Sequence, residues 1–430
     1  MTTSYSNKRL DMRSSNLKSD MLRQPEIASR LAARHIVMHD LPKPLWRDGI
    51  GIDSNRHVRL IFDDTDTLSL AIARQAALLC HFPNFNEETG ANRTILTFMA
   101  KEASDLSELE AIFRRILNSR MLGNLPDHCN VKLCSGKECE TVSGEGSYLD
   151  IALGIVAAAN LDIATFLRCL PDRNRAHITL MSRDSALGDL KTEFSELQHY
   201  LLPDKMPDAS DCERYMAEVD FSRAMLVNKV YSISTGLREI NNFSCFDAAD
   251  YNMSLQRLCD EITPSTAIAA WDTIKGPDSI EMALSNLYSG DCIDTKLASL
   301  RLRPSDFVPD KVSGIRRLFP IPEWRRQSRA RRFLEKNLET LAKLEHSRWN
   351  VEKLLLGYAP YTREEHYADE QLQGKARSAS RRHKKKIEKH HIDICSHRQL
   401  MHIDPESLKY DCFLTLAIDR ILALEPTLRK

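Results

Sequence analysis

The chain has 430 residues, with 60 Lys and Arg against 60 Asp and Glu, so its formal net charge is zero. A chain without net charge has no global field that attracts nucleic acid or membrane, and any such attraction must come from local clusters. The length predicts two or three domains. The 11 cysteines occur without a secretory signal, which favours free thiols in a reducing cytoplasm.

Neither the N-terminus nor the most apolar stretch looks like a membrane segment. Residues 1–27 are polar and lack the apolar run of a signal peptide, so we expect a mobile tail. The most apolar stretch, residues 147–170, is interrupted by Asp150, Asn160 and Asp162. Charges at this spacing argue against a bilayer span, and we expect buried structure there instead.

Short apolar runs alternate with helical patterns between residues 55 and 265. The predicted strands lie at residues 58–62, 93–99, 130–134, 176–181 and 229–234. Between them, apolar residues recur at the three- and four-residue spacing of amphipathic helices. Alternating strands and helices predict the α/β class, with a Rossmann-like parallel sheet in a domain over residues 28–265.

The glycines that would bind a dinucleotide are missing from this predicted sheet domain. After the first strand, Asp64, Asp66 and Ser69 stand at the spacing of the glycine-rich phosphate loop. Carboxylates would repel the phosphates, and the second strand ends in Met99 and Ala100 where an acidic ribose ligand is expected. We therefore predict a degenerate domain without a nucleotide cofactor.

Two groups of side chains have ligand types that metal ions accept. They are Asp63, Asp64 and Asp66 in one loop, and His128, Cys129, Cys134 and Cys139 in another. Clustered carboxylates suit hard cations, and Cys with His suits zinc. Solvated loop acids and unligated thiols are the commoner explanations, so we predict no metal.

The C-terminal part begins after an irregular region. Residues 266–335 contain several Pro and Gly and are interpreted as a linker. The family resemblance described below implies that this region also includes a degenerate first repeat. Residues 336–430 then form a separate predicted domain, in which a long helix ends at Gly357.

One face of this predicted helix carries an unusual cluster. Glu345, Arg348, Trp349 and Glu352 fall at i, i+3, i+4 and i+7, beside an apolar stripe. An indole flanked by Arg and carboxylates can stack on and hydrogen-bond a heterocycle. The alternative is a structural ion pair with a half-buried tryptophan anchor, and the sequence leaves both open.

The same stretch resembles the repeat of ryanodine receptors, the RyR domain. The pattern Glu-His-x-Arg-Trp, followed by Gly and an aromatic residue, is met by Glu345, His346, Arg348, Trp349, Gly357 and Tyr358. Downstream, the resemblance extends to His391, Leu400, Tyr410 and Asp411, although Ile392 replaces the usual Pro. The predicted ligand-binding residues are Glu345, His346, Arg348, Trp349, Glu352, Tyr358, Tyr410 and Asp411.

The resemblance implies an architecture and a function. Bacterial proteins with this repeat often place before it a Rossmann domain similar to that of potassium-channel regulators. The implied fold is therefore a Rossmann-like parallel-sheet domain followed by a mainly helical RyR domain. The implied function is that of a non-enzymatic cytoplasmic sensor, which recognises a small nucleotide-derived ligand in bacterial signalling or defence.

Two basic clusters support an alternative function, the binding of nucleic acid or another anionic surface. The first includes Arg325 and Arg326, and the second includes Arg381, Arg382, Lys384, Lys385 and Lys386 in a predicted mobile loop over residues 373–389. Pairing with the acids of residues 363–371 would instead neutralise the second cluster. An enzymatic function is disfavoured because no nucleophile stands beside a recognisable base. Ligand identity and oligomeric state stay open.

Overall fold

The structure is a computed structural model of the whole chain, and it describes the following residues: 25–40, 50–54, 57–62, 67–86, 92–100, 129–135, 151–157, 178–182, 190–195, 198–201, 221–236, 259–275, 278–307 and 331–429.

Six short strands form one parallel sheet. They are β1 (His57–Phe62), β2 (Thr94–Ala100), β3 (Cys129–Ser135), β4 (Ile151–Ala157), β5 (Ile178–Ser182) and β6 (Gln198–Leu201). The order across the sheet is β3-β2-β1-β4-β5-β6, with every neighbouring pair parallel. The chain order of the strands reverses between β1 and β4. A two-stranded parallel ladder joins β7 (Ala359–Pro360) to β8 (His390–His391).

Helices make up most of the described residues. Before the C-terminal part they are α1 (Pro25–His35), α2 (Thr67–Leu79), α3 (Leu190–Glu193), α4 (Ser222–Gly236), α5 (Pro264–Asp272) and α6 (Ser279–Ser299). In the C-terminal part the helices are α7 (Leu338–Leu355), α8 (Arg363–Glu370), α9 (Gly374–His383), α10 (His397–Ile403), α11 (Leu408–Leu416) and α12 (Ile418–Leu428). A π-helical turn, Lys384–Glu388, continues α9.

One hydrophobic core joins helices from both ends of the chain. It runs from Leu31 in α1 to Leu428 in α12 and includes almost the whole of α2. Helix α2 packs against α6 and α7, while α4 packs against α5, α6, α11 and α12. The sheet supplies only a few of its described core side chains, Val58, Leu60 and Leu96.

The predicted fold class, an α/β Rossmann-like sheet domain followed by a mainly helical RyR domain, is wrong for this molecule. Most described residues are helical, and the largest described core is a helical one that draws on both halves of the chain. The physical reason is that α2, the helix after β1, is apolar nearly all round. It buries its surface against helices α6 and α7 as well as beside the sheet.

Two local predictions also fail. Residues 229–234, predicted as a strand, lie in helix α4; a short apolar run cannot by itself distinguish a strand from a buried helix. Residues 373–389, predicted as a mobile loop, form α9 and its π-helical continuation. Acidic partners in neighbouring segments hold this basic segment, as shown below. Residues 1–24 of the predicted mobile tail lie outside the described residues.

None of the helices in the described ranges combines the length and the apolarity needed to cross a bilayer.

The end of α7 is set by Gly357, as the sequence predicts. Gly357 has φ +85°, and the next amide, that of Tyr358, donates a hydrogen bond to the carbonyl of Lys353 (2.9 Å). A positive φ favours glycine because an L side chain crowds the following carbonyl. This turn directs the chain from α7 into β7.

We expect Gly357→Ala to lower the free energy of unfolding by about 1–2 kcal/mol. A Cβ at this position would meet no atom within 4 Å, so the cost comes from backbone conformation alone. Gly357→Asn should cost less, because Asn tolerates the left-handed region. Urea unfolding of both variants measures the difference, and equal losses for Ala and Asn would contradict this explanation.

Candidate ligand-binding site

A buried network of charges surrounds the carboxylate of Glu345 on α7. Its Oε1 accepts hydrogen bonds from Arg348 Nε and Ser289 Oγ, both at 2.9 Å, and from Tyr231 OH at 3.3 Å. Its Oε2 accepts from Lys296 Nζ at 2.5 Å. Glu345 and Arg348 are 0% exposed and Lys296 is 2% exposed. The network therefore ties α7 to α6 and α4 inside the core.

The two cations keep Glu345 ionised. Burial alone would raise the pKa of Glu345, but Arg348 and Lys296 lower it to about 2. Arg348 also donates to Glu352 Oε2, which accepts from Ser285 Oγ as well (3.0 Å). A network of buried charges costs free energy to remove from water, and it is stable only when each charge has partners.

His346 lies on the other side of α7. Its Nδ1 is 3.3 Å from Asp411 Oδ2 on α11, and its Nε2 is 2.9 Å from the carbonyl oxygen of Cys395. Burial lowers the pKa of His346, but its hydrogen bonds to Asp411 and to the Cys395 carbonyl outweigh it and raise the pKa well above the ordinary value. His346 is thus held as a buried cation beside Asp411.

The aromatic residues of the predicted site lie at the end of α7. Trp349 is half-buried, 5.0 Å from the ring of His391 and 5.9 Å from Lys353 Nζ. Tyr358 is buried, and Lys389 Nζ lies 4.5 Å from its ring centre. Tyr410, by contrast, contacts Tyr231, with ring centres 6.3 Å apart.

The predicted ligand-binding residues are therefore brought close to α7, but not onto one open face. Glu345, His346 and Asp411 have partners inside the protein, and Arg348 pairs with Glu345 and Glu352, although its Nη2 has no hydrogen bond among the described residues. Trp349 and Tyr358 contact the His391 ring edge to face, and the ammonium groups of Lys353 and Lys389 lie near their rings. Their role in ligand binding stays a prediction. Glu352 differs from the others because it also lines a cavity.

This cavity has a volume of about 250 Å³ and lies between α1, α2, α6 and α7. Its apolar lining consists of Ala71, Leu78, Ile280, Leu284, Leu355 and Leu356. Its polar groups are the side chains of Arg30, Arg74, Gln75, Glu281, Ser285, Tyr288 and Glu352. Apolar walls with a few convergent polar groups are typical of small-molecule sites.

Gln75 is the most informative residue of the cavity. Its side chain is 2% exposed, and its Nε2 has no hydrogen-bond partner among the described residues. A buried amide without a partner costs about 1–3 kcal/mol. Gln75 lines the cavity, and a bound molecule that reached this amide would complete its hydrogen bonding.

Donors and acceptors occupy the cavity wall together. Burial raises the pKa of Tyr288, although Arg30 acts in the opposite direction, so its phenol stays a neutral donor at physiological pH. Glu352 is already neutralised by Lys353 and Arg348. The guanidinium groups of Arg30 and Arg74 line the same cavity as the carboxylates of Glu281 and Glu352, so the wall carries both cationic and anionic groups.

Sequence reasoning missed Arg30, Arg74, Gln75 and Tyr288. A signal was present in α2, where Arg74 and Gln75 interrupt a helix of Leu, Ile and Ala. Polar residues inside an apolar helix are either paired or functional. The sequence could not show that α1 and α6 would lie opposite them.

Other predicted groups lie wholly or partly outside the described residues. The residues outside the described ranges are Asp63, Asp64, Asp66, His128, Cys139, Arg325 and Arg326. Cys129 and Cys134 lie in β3, of which only the backbone is described.

Within the described ranges, Glu365, Glu388 and His390 come close enough to hold a metal ion. Lys384 Nζ lies 2.6 Å from Glu365 Oε1 and 3.3 Å from Glu388 Oε2, so an ammonium group already neutralises these carboxylates. This arrangement is that of an ion-pair cluster.

Comparison with known protein families, characterised proteins and solved structures finds no match to this chain. The RyR resemblance accordingly stays a prediction that rests on its motif.

We expect Glu345→Gln to lower the free energy of unfolding by about 3–5 kcal/mol, because it leaves Lys296 and Arg348 buried beside a neutral amide. The control is Glu339→Gln, which removes an exposed ion pair with Lys343 on the same helix and should cost less than about 1 kcal/mol. Denaturant unfolding of both variants tests this. Similar small losses would show that the network contributes little.

The buried pair of His346 and Asp411 makes stability depend on pH. A histidine with a raised pKa stabilises the folded state fully below its unfolded pKa of about 6.5, and loses that effect as pH rises towards the folded pKa. The stability difference between the native chain and His346→Gln should therefore be largest near pH 6 and shrink at alkaline pH. Unfolding curves from pH 6 to 9 measure it, and a constant or growing difference would contradict a charged His346.

Proposed function

We propose that this chain is a non-enzymatic binding protein that recognises a small nucleotide-derived ligand in the cavity between α1, α2, α6 and α7. The observation that carries the proposal is the buried amide of Gln75 at the cavity wall, whose Nε2 has no hydrogen-bond partner among the described residues. A ligand carbonyl or ring nitrogen at this wall would pair with the amide.

The size of the cavity limits the ligand. A cavity of about 150 Å³ is known to hold benzene, and drug-sized ligands occupy about 300–1,000 Å³. At about 250 Å³, this cavity suits a nucleobase or a nucleoside-sized group. A complete dinucleotide would not fit inside it.

The charged groups of the wall would bind the polar part of that ligand, and a phosphate or carboxylate on it would be bound through arginine. Arg30 and Arg74 lie at the wall together with the neutral phenol of Tyr288. Guanidinium groups bind phosphate and carboxylate through paired hydrogen bonds. The leucine walls would then cover the planar part of the same molecule.

The sequence motif agrees with this location. Glu352 lies on the same helix, α7, as the RyR-like pattern, one turn after Arg348; it also lines the cavity and accepts a hydrogen bond from Ser285 of α6. A ligand there would contact the helix that carries the motif. The RyR resemblance further implies a sensor in the cytoplasm of a bacterium, with a role in signalling or defence.

A thermal-shift panel tests the binding function. It contains nucleobases, nucleosides, linear and cyclic mononucleotides and ADP-ribose, measured with the full chain. A ligand present at 100 times its dissociation constant stabilises the folded state by about 2.7 kcal/mol. We expect an anionic mononucleotide-sized compound to raise the melting temperature, and no response across the panel would refute the nucleotide-derived ligand.

The variant Gln75→Leu tests whether the ligand binds in the cavity. This change removes the unsatisfied amide, so the free protein should be as stable as the native chain or more so, whereas affinity for the ligand should fall at least tenfold, by about 1.4 kcal/mol. The matched control is Gln371→Leu on an exposed position, which should leave affinity unchanged. Equal affinity of native and Gln75→Leu protein would place the ligand elsewhere.

A further inference from the structure

The cations of the basic segment, which comprises α9 and its π-helical continuation, fall into two groups. Arg377 and Arg381 both pair with Asp369 of α8 at 2.8 Å. Arg381 also pairs with Asp404 at 2.9 Å. Lys384 pairs with Glu365 of α8 at 2.6 Å. These cations fix the segment against α8 and the region before α11.

The remaining cations of the segment face solvent. Lys375, Arg382, Lys385, Lys386 and Lys389 are all exposed. None of them forms an ion pair with a described residue. Glu388 is the acid nearest to them in sequence, and it is already engaged by Lys384 and His383. The outer side of the segment therefore carries positive charge that no described acid neutralises.

The spacing concentrates this charge. Arg382, Lys385 and Lys386 lie within five residues of one another, where α9 passes into the π-helical turn. Lys389 ends the run with φ +58°, and its ammonium lies over the Tyr358 ring. This outer basic face is consequently held by a folded scaffold.

A phosphodiester backbone suits this face better than a membrane does. A helix that lies in a membrane interface needs an extended apolar side, but the opposite side of this segment is engaged in ion pairs. Ile387, at 71% exposed, is a single apolar side chain there. Chains of phosphates instead bind closely spaced Lys and Arg through counterion release.

We propose that the outer basic face, formed by Arg382, Lys385 and Lys386, binds the phosphate backbone of a nucleic acid. This site is independent of the cavity described above. Since its contacts are to phosphates, binding is insensitive to sequence and weakens with salt.

Fluorescence anisotropy of the full chain with a labelled duplex DNA and a labelled single-stranded RNA, over a series of KCl concentrations, tests the proposal. The variant Arg382→Gln, Lys385→Gln, Lys386→Gln removes three exposed cations. We expect its affinity at low salt to fall at least tenfold. The slope of log affinity against log salt on duplex DNA should become shallower by about 3, at about 0.9 per phosphate contact.

The matched control, Lys275→Gln, Arg301→Gln, Lys336→Gln, removes the same charge from exposed positions elsewhere. It should leave affinity and salt slope unchanged. Equal losses of affinity in both triple variants would show that binding depends only on the total charge of the protein, which would overturn the proposal. Absence of binding by the native chain at low salt would also overturn it. Binding to vesicles containing phosphatidylserine but to neither nucleic acid would assign the face to membranes instead.

Discussion

The carboxylate of Glu345 is the interaction on which the described part of the structure depends. It lies in the core with Lys296 from α6 and Arg348 from its own helix. It also accepts hydrogen bonds from the hydroxyl groups of Tyr231 in α4 and Ser289 in α6. Each charge is buried at a cost that only the others offset. The relative positions of α4, α6 and α7 are therefore fixed by polar geometry as well as by apolar packing, which tolerates small shifts more easily.

The cavity follows from that arrangement. Arg348 extends the network to Glu352, and Ser285 binds Glu352 across the gap between α6 and α7. Helix α1 closes the opposite side, where Arg34 forms a two-pronged buried pair with Asp291 at 2.6 and 2.7 Å. The walls are thus held apart by charged pairs, and the space between them does not collapse. A rigid, preformed cavity binds its ligand without a large ordering cost.

The polar side chains of α7 divide into two roles. Those that face α4, α6 and α11, including Glu345 and His346, find their partners within the chain. Glu352, one turn further along, faces the cavity. The position along α7 therefore separates the side chains of the core network from the one that lines the cavity.

The sequence by itself determined the local features of this protein. Helix α7 could be predicted because its apolar residues repeat with the helical period, and its end because Gly357 permits a positive φ. Strands near residues 58–62 and 93–99 followed from short apolar runs, whereas β4 was recognised only as buried structure. The ionic nature of the cluster around Glu345 and Arg348 was also visible, as one of two alternatives.

Only the tertiary structure decided what these features do. Lys296 and Ser289 lie far from Glu345 in the chain, and no local pattern showed that they would meet it in the core. The same holds for Gln75, whose environment depends on helices from distant parts of the sequence. The basic segment became a helix because Asp369, Asp404 and Glu365 pair with one side of it. Contacts between distant residues set burial and pairing, and these two quantities decide whether a charge is structural or functional.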